Sequence, residues 1–213
     1  MHGPLTPTTP TTVSEIQMKN FVYLASQSPR RRQLLEQIGV QYELLLPSAD
    51  EDAEALEVVM PGESPLTYVK RVTQLKLEAA VLRMKQQGLP NAPILCADTT
   101  VALGRQILGK PENVKDAIRI LKILSGQTHR VLTAVAIASN RKREICVSVS
   151  QVSFAPMKLA EIKSYVGSGE PMGKAGAYGV QGLAASYISS IRGSYSGIMG
   201  LPLFETAQLL KQI

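Results

Sequence analysis

Phe21-Val22-Tyr23-Leu24-Ala25-Ser26-Gln27-Ser28-Pro29-Arg30-Arg31-Arg32 is the stretch on which the fold class turns. Its first five residues form an apolar run of strand length. Ser26-Gln27-Ser28 follows as a loop, and Ser28-Pro29 is a helix start, with Ser at the N-cap and Pro at the first helical position. Leu34, Leu35 and Ile38 then fall on one side of the helix, and Gly39 stops it. A helix N-terminus leaves N–H groups unpaired and carries partial positive charge, so it is a ready anion site. Ser26, Ser28, Arg30 and Arg31 at that point suit phosphate oxygens, which guanidinium groups grip in pairs. The plain alternative is that Ser28 only caps and the arginines face water. The stretch is not a Walker A loop, because it lacks the glycines and the Lys-Ser/Thr ending.

Reading outward, Tyr42 to Leu46 predicts a second strand, and residues 47 to 63 an acidic connection with Asp50, Glu51, Asp52, Glu54, Glu57 and Glu63. Ser64-Pro65 repeats the helix-start signal. The helix that follows runs to about Gln87, with Val69, Val72, Leu75, Ala79 and Leu82 at helical spacing. Ile94 to Ala97 reads as a short buried strand carrying Asp98 at its carboxyl end, and residues 100 to 108 as a hairpin around Gly104-Arg105. Asn113 caps a helix ending near Ser125-Gly126. Two strand-like runs, 128 to 138 and 144 to 155, are joined through Asn140 to Arg143. Lys158 to Val166 predicts a short helix, and Pro202 opens a final one. Nine of the sixteen glycines lie between 167 and 200, which predicts a loop-rich surface lining a cleft. The order predicts an α/β fold: a mixed sheet flanked by helices, in two lobes around a cleft, with the break near 100 to 130.

The bulk numbers agree with one globular unit. The chain has 213 residues, 45% hydrophobic and 19% charged, enough for a real core. Residues 1–19, with Pro4, Pro7 and Pro10, read as a disordered extension with no part in the chemistry. Residues 20–213 read as a single catalytic domain. No apolar run approaches the roughly 20 residues of a membrane span, and the N-terminus is not an apolar signal, so the expected location is cytoplasmic. Cys96 and Cys146 sit inside apolar runs and read as buried thiols. With His2 and His129 the only histidines, a histidine-built zinc site is not expected. The net charge of +6 favours an anionic ligand.

Three further segments offer chemistry. Asp98 at a strand end is where α/β sheets keep ligand groups, and a carboxylate there can hold Mg²⁺ or activate a water. Read blandly, it is a turn residue. Lys76, one position beyond the apolar stripe, and Lys110, between Gly109 and Pro111, are each ordinary surface or a point charge for a phosphate. Gly173-Lys174-Ala175-Gly176-Ala177-Tyr178-Gly179-Val180-Gln181-Gly182 lets backbone approach a ligand closely, and Gln181 offers both donor and acceptor to a base edge.

Together and in this order, these pieces resemble the Maf family of nucleotide pyrophosphatases. The matching segments are Leu24 to Arg31, Ala97-Asp98-Thr99, Gly109-Lys110-Pro111, Leu124-Ser125-Gly126, Lys174 to Gly179, Gly193-Ser194-Tyr195 and Gly200-Leu201-Pro202. The match runs from about 21 to 212. Gln27, where a small residue is common, and Gly173, where Asp is frequent, depart from the pattern. The resemblance implies an α/β fold akin to inosine triphosphate pyrophosphatase and a divalent cation, Mg²⁺ or Mn²⁺. Ala-Asp-Thr with Gly-Val-Gln is similar to the branch hydrolysing dTTP and UTP. By resemblance, Asp98 is the general base. Arg30, Thr99 and Gln181 bear on substrate choice, and Ser26, Arg31, Lys76 and Lys110 line the phosphate site. Glu51, flanked by Asp50 and Asp52, binds metal with Asp98.

The implied partner is a nucleoside triphosphate, with no stable nucleic acid and no membrane, and with a homodimer left open. A rival of another class is a non-catalytic nucleic-acid-binding or cell-division regulator, drawn from the +6 charge and the clusters Arg30-Arg31-Arg32 and Arg141-Lys142-Arg143. The absence of Trp and of a DNA-reading motif weighs against it. A second rival is phosphate-ester hydrolysis, separable by its product.

Overall fold

The computed structural model describes residues 21–48, 51, 55–140 and 142–213. The expected extension 1–19, and Asp50 and Asp52, lie outside the described residues. The strands are β1 (Phe21–Leu24), β2 (Gln41–Leu44), β3 (Ile94–Leu103), β4 (Gln106–Leu108), β5 (Thr128–Ser139), β6 (Lys142–Phe154) and β7 (Ile188–Arg192). The helices are α1 (Pro29–Gln37), α2 (Pro65–Gln86), α3 (Val114–Leu124), α4 (Leu159–Gly167), α5 (Tyr195–Met199) and α6 (Leu203–Leu210). Short 3-10 turns stand at Ala55–Glu57, Ala175–Ala177 and Leu183–Tyr187.

The strands form one mixed sheet in the order β2-β1-β3-β5-β6-β7, with β4 also paired to β3. β1 runs parallel to β2 and β3, and the remaining pairs are antiparallel. Alternation along the strands separates two apolar layers, as a sheet buried on both faces requires. Leu95 and Ala97 of β3, with Val135 and Ile137 of β5, pack with Leu34, Leu35, Leu201 and Leu209 from α1, α6 and the turn before α6. Ile94 and Cys96, with Ala136 and Ala138, pack under Leu77, Ala80, Val81 and Met84 of α2. A third cluster, with Ile120, Leu121 and Leu124 of α3 and Ile162, Tyr165 and Val166 of α4, closes the far end.

The helix starts behave largely as the sequence predicts. Ser64 accepts from the Thr67 N–H and Asn113 from the Asp116 N–H. Three expectations are corrected. The strand at 94–97 and the first arm of the hairpin at 100–108 are one ten-residue strand, so Asp98 lies mid-strand. Pairing with β5 runs without a break along β3 from Ile94 to Ala102. The buried stripe of α2 is Val69, Val72, Thr73, Leu77, Ala80 and Met84, while Leu75 and Leu82 are exposed. α2 offered two apolar stripes, and the one meeting β3 takes Lys76 down with it. The glycine-rich 167–200 region, expected as loops, also contains β7 and α5.

The β3 edge has one gap. β1 pairs with it only at Ile94 and Leu95, and β4 only at Val101 to Leu103. Among the described residues, 96–100 therefore have β5 on one side and no strand on the other. Asp98 stands at the middle of that opening.

His129 lies in the far cluster, 1% exposed, between the rings of Phe154 and Tyr178. Its Nε2 meets the Tyr178 hydroxyl at 2.8 Å, and its Nδ1 has no hydrogen-bond partner among the described residues. Burial without a compensating charge pushes its pKa down from 6.5 to about 4. Acidification therefore protonates the unfolded chain first. Stability from this group is full above 6.5 and is lost as the pH falls toward 4. Unfolding free energy from urea titrations should fall between pH 6.5 and 5 with a slope approaching about 1.4 kcal/mol per pH unit. His129→Phe should flatten that slope. An equal slope in the variant removes His129 as its source.

Candidate active site

The gap in β3 opens into a cavity of about 820 Å³. Its lining includes Ser26, Ser28, Arg30, Arg31, Glu51, Lys76, Asp98, Thr99 and Lys110, all singled out from the sequence. Six cationic and three acidic side chains line it (Lys174, Arg83 and Glu57 are the additional ones), so it is built for an anion. Gln181 is exposed and is not among the lining residues, whereas its neighbours Gly179 and Val180 are.

Neighbouring residues of a strand point to opposite faces, and this divides the cavity into two regions. Asp98 faces α2, and its Oδ1 accepts from the Lys76 ammonium at 2.6 Å. The same ammonium donates to Glu57 Oε1 at 2.7 Å, and the other Glu57 oxygen accepts from Lys110 at 2.8 Å. Asp98, Lys76, Glu57 and Lys110 thus alternate in charge. The Glu57 backbone is pinned by Tyr68 of α2, whose hydroxyl donates to the Glu57 carbonyl at 2.9 Å. Burial would raise the Glu57 pKa, but Lys76 and Lys110 outweigh it and hold the carboxyl below its usual range. Burial would lower the Lys76 pKa, but Asp98 and Glu57 outweigh it and keep the ammonium charged. Burial, then the charges of Asp98 and Glu57, push the Tyr68 hydroxyl up to about 12.

The second region faces α1. Arg30 Nε donates to the Met199 carbonyl at 3.2 Å, and Arg31 Nε to the Gly200 carbonyl at 2.8 Å. Arg31 Nη1 also donates to Ser26 Oγ at 3.1 Å. Both guanidinium groups are anchored through Nε. Gly200 has φ +118, a left-handed conformation that favours glycine, and this backbone turn presents its carbonyl to Arg31. Burial, then repulsion from Arg31, lowers the Arg30 pKa. Ser28 stands at the N-cap, but its side chain makes no cap bond; its N–H donates to Ser26 Oγ at 3.2 Å. Ser26 therefore ties loop and helix start together, a role the sequence reading gives to Ser28.

Glu51 shares the cavity but not the charge chain. Its two oxygens accept from Arg83 at 2.8 and 2.5 Å, and Arg83 also donates to the Leu45 carbonyl. Arg83 holds the Glu51 carboxyl below its usual range against the opposing effect of partial burial. Glu57 is the residue that sequence reasoning passes over. It is one of six acids in the 47–63 connection, and nothing in its local sequence separates it from the other five. Arg83 and Lys174 are also given no role by the sequence; Lys174 lines the cavity with its ammonium on the Glu170 carbonyl.

Among the described residues, no group of three or more His, Cys, Asp or Glu comes together as a metal cage. The acids present are nevertheless hard oxygen donors, and Asp98 and Glu57 already converge on one cation, the Lys76 ammonium. One or two carboxylates completed by substrate phosphates is how Mg²⁺ is ordinarily held, so the donor set fits such an ion.

Comparison with known proteins agrees with this geometry. The family model described as Maf-like protein matches residues 21–213. A dTTP/UTP pyrophosphatase of Albidiferax ferrireducens is 66% identical over 91% of this chain and 97% of its own length. One of Polaromonas sp. is 68% identical over 90% and 95%, and one of Cupriavidus pinatubonensis 62% identical over 92% and 98%. With the ordered motifs, the mixed sheet and the charged cavity at the β3 gap all in place, the chain belongs to the Maf-like protein family.

Proposed function

We propose that this protein hydrolyses dTTP and UTP to the nucleoside monophosphate and pyrophosphate. The observation that carries the reading is Asp98, a carboxylate at the open middle of β3 with cations arrayed on both sides of it in one cavity. The names of the relatives, dTTP/UTP pyrophosphatase, support the substrate class. A basic surface serving nucleic acid would be flat and outward, whereas these cations line a cavity with acids among them.

In this reading the polyphosphate lies along the cavity. Arg30, Arg31, Lys76 and Lys110 match its charge, and Ser26 and the α1 N-terminus take phosphate oxygens. Asp98 accepts a proton from, or orients, a water that attacks the α-phosphorus, and the bond to the bridging oxygen breaks to release pyrophosphate. Lys76 holds the Asp98 carboxylate aimed through their 2.6 Å hydrogen bond. The phosphates take over the ammonium contacts that Glu57 holds in the free protein. Thr99 and Gln181 bear on the base, Gln181 from the exposed rim. Asp98 and Glu51, with Glu57 as the added candidate, would hold a divalent metal, Mg²⁺ or Mn²⁺. When bound, such an ion neutralises phosphate charge and stabilises the charge that develops in the transition state. Glu51 reaches that role only by leaving Arg83.

Two measurements test the reading. With Mg²⁺ or Mn²⁺, a panel of triphosphates should yield pyrophosphate and monophosphate, with dTTP and UTP giving the highest kcat/KM. Orthophosphate as the product, or a wide preference for purines, contradicts it. Asp98→Asn keeps the shape and an acceptor for Lys76, so its melting temperature should change little. Its kcat should nevertheless fall about 10² to 10⁴-fold. Full metal-dependent turnover in this variant removes Asp98 from the chemistry.

A further inference from the structure

Thr99 lines the cavity on the α1 face, and directly across the ladder from it on β5 stands Thr133. Their hydroxyl oxygens are 3.0 Å apart. Thr133 is 1% exposed, and its Oγ1 lies 2.7 Å from the carbonyl oxygen of Gly197. A hydroxyl has one hydrogen and two lone pairs. A carbonyl oxygen only accepts, so the single Thr133 hydrogen goes to Gly197. The bond between the threonines then has one possible direction: Thr99 donates and Thr133 accepts. Thr99 has no other side-chain hydrogen bond among the described residues. It therefore presents lone pairs and no hydrogen to the cavity.

The carbonyl that fixes this direction is itself held. Gly197 belongs to α5, and its N–H donates to the side chain of the N-cap Ser194 at 2.9 Å. The Ser194 N–H donates to Ser150 Oγ at 2.9 Å. Gly193 has φ +118, and a Cβ there would lie 2.7 Å from that same oxygen. The Gly193-Ser194-Tyr195 motif thus has a local purpose: it sets α5 against β6 so that the Gly197 carbonyl meets Thr133.

We propose that Thr133, which touches no substrate, is a specificity-determining residue: by taking the Thr99 hydrogen it makes Thr99 an obligate acceptor for the base. This rests on the reading that the base faces Thr99. Uracil and thymine carry one ring donor, N3–H, whereas cytosine carries an unprotonated acceptor at N3. Cytosine keeps a donor on its exocyclic N4, so the discrimination is made at N3: an acceptor-only Thr99 placed there pairs with uracil and thymine and opposes cytosine. A threonine free to rotate would accept either, so the discrimination lies one residue behind the visible surface of the site.

The test compares wild type, Thr133→Val and Thr133→Ser, scoring kcat/KM for UTP against CTP and, independently of turnover, Kd for UMP against CMP. Wild type should favour the uracil ligand. Thr133→Val frees the Thr99 hydrogen and should lower the uracil-to-cytosine ratio about tenfold or more, chiefly by improving the cytosine ligand. Thr133→Ser keeps the hydroxyl and should keep the ratio. An unchanged ratio in a folded Thr133→Val protein overturns the proposal. So does wild type that binds UMP and CMP equally, a result that needs no variant to fold. If no triphosphate is hydrolysed, the pyrophosphatase reading fails, while the two Kd values still decide the polarity of Thr99.

Discussion

A carboxylate on a central strand, one eighth exposed, needs a cation close by, and Lys76 is that cation for Asp98. Removing an unpaired carboxylate from water costs several kcal/mol, so Asp98 tolerates its place because an ammonium sits 2.6 Å away. That ammonium is equally dependent on Asp98 and Glu57. The phase of α2 against the sheet, the choice of which apolar stripe is buried and the reach of the Ala55–Glu57 turn all converge on this one contact. The alternating chain Asp98, Lys76, Glu57, Lys110 leaves charged groups held in place but exchangeable, because a phosphate oxygen can stand where the Glu57 carboxylate stands.

The opening along β3 is the architectural counterpart. A strand with parallel β1 at its start and antiparallel β4 at its end has, among the described residues, a stretch between them with no strand on that side. In most sheets such an edge is a liability. Here it is covered by a cavity whose other walls come from α1, α2 and the 172–180 and 198–200 segments. Asp98 and Thr99, adjacent in sequence, reach opposite faces of the sheet through this opening. One faces the lysines of the α2 side, the other the arginines and α5. The carboxylate proposed for chemistry and the hydroxyl proposed for recognition are therefore encoded side by side without competing for space.

Much of this was legible in the sequence. The strand-loop-helix at 21–37, the Ser-Pro and Asn helix starts and the alternating order of strands and helices give the mixed α/β sheet. The ordered motifs bring Ser26, Arg30, Arg31, Asp98, Thr99 and Lys110 to one cavity. What was not legible depended on pairing partners far away in the chain. The ten-residue length of β3 is imposed by its ladder with β5, not by its own residues. Lys76 reads as surface because α2 carries leucines on two sides, and only the packed sheet decides between them. Glu57 is hidden in an acidic run, and the Arg83 pairing of Glu51 joins residues 32 apart. The direction of the Thr99 hydrogen bond depends on Gly197, nearly one hundred residues away in sequence.

All of the proposed chemistry places the attacking water beside Asp98 and the α-phosphorus, with the two outer phosphates leaving together. Hydrolysis of UTP in water enriched in oxygen-18, with mass analysis of both products, reads that bond directly. One oxygen-18 should appear in the uridine monophosphate and none in the pyrophosphate. Label in the pyrophosphate, which marks attack at the β-phosphorus, contradicts the arrangement.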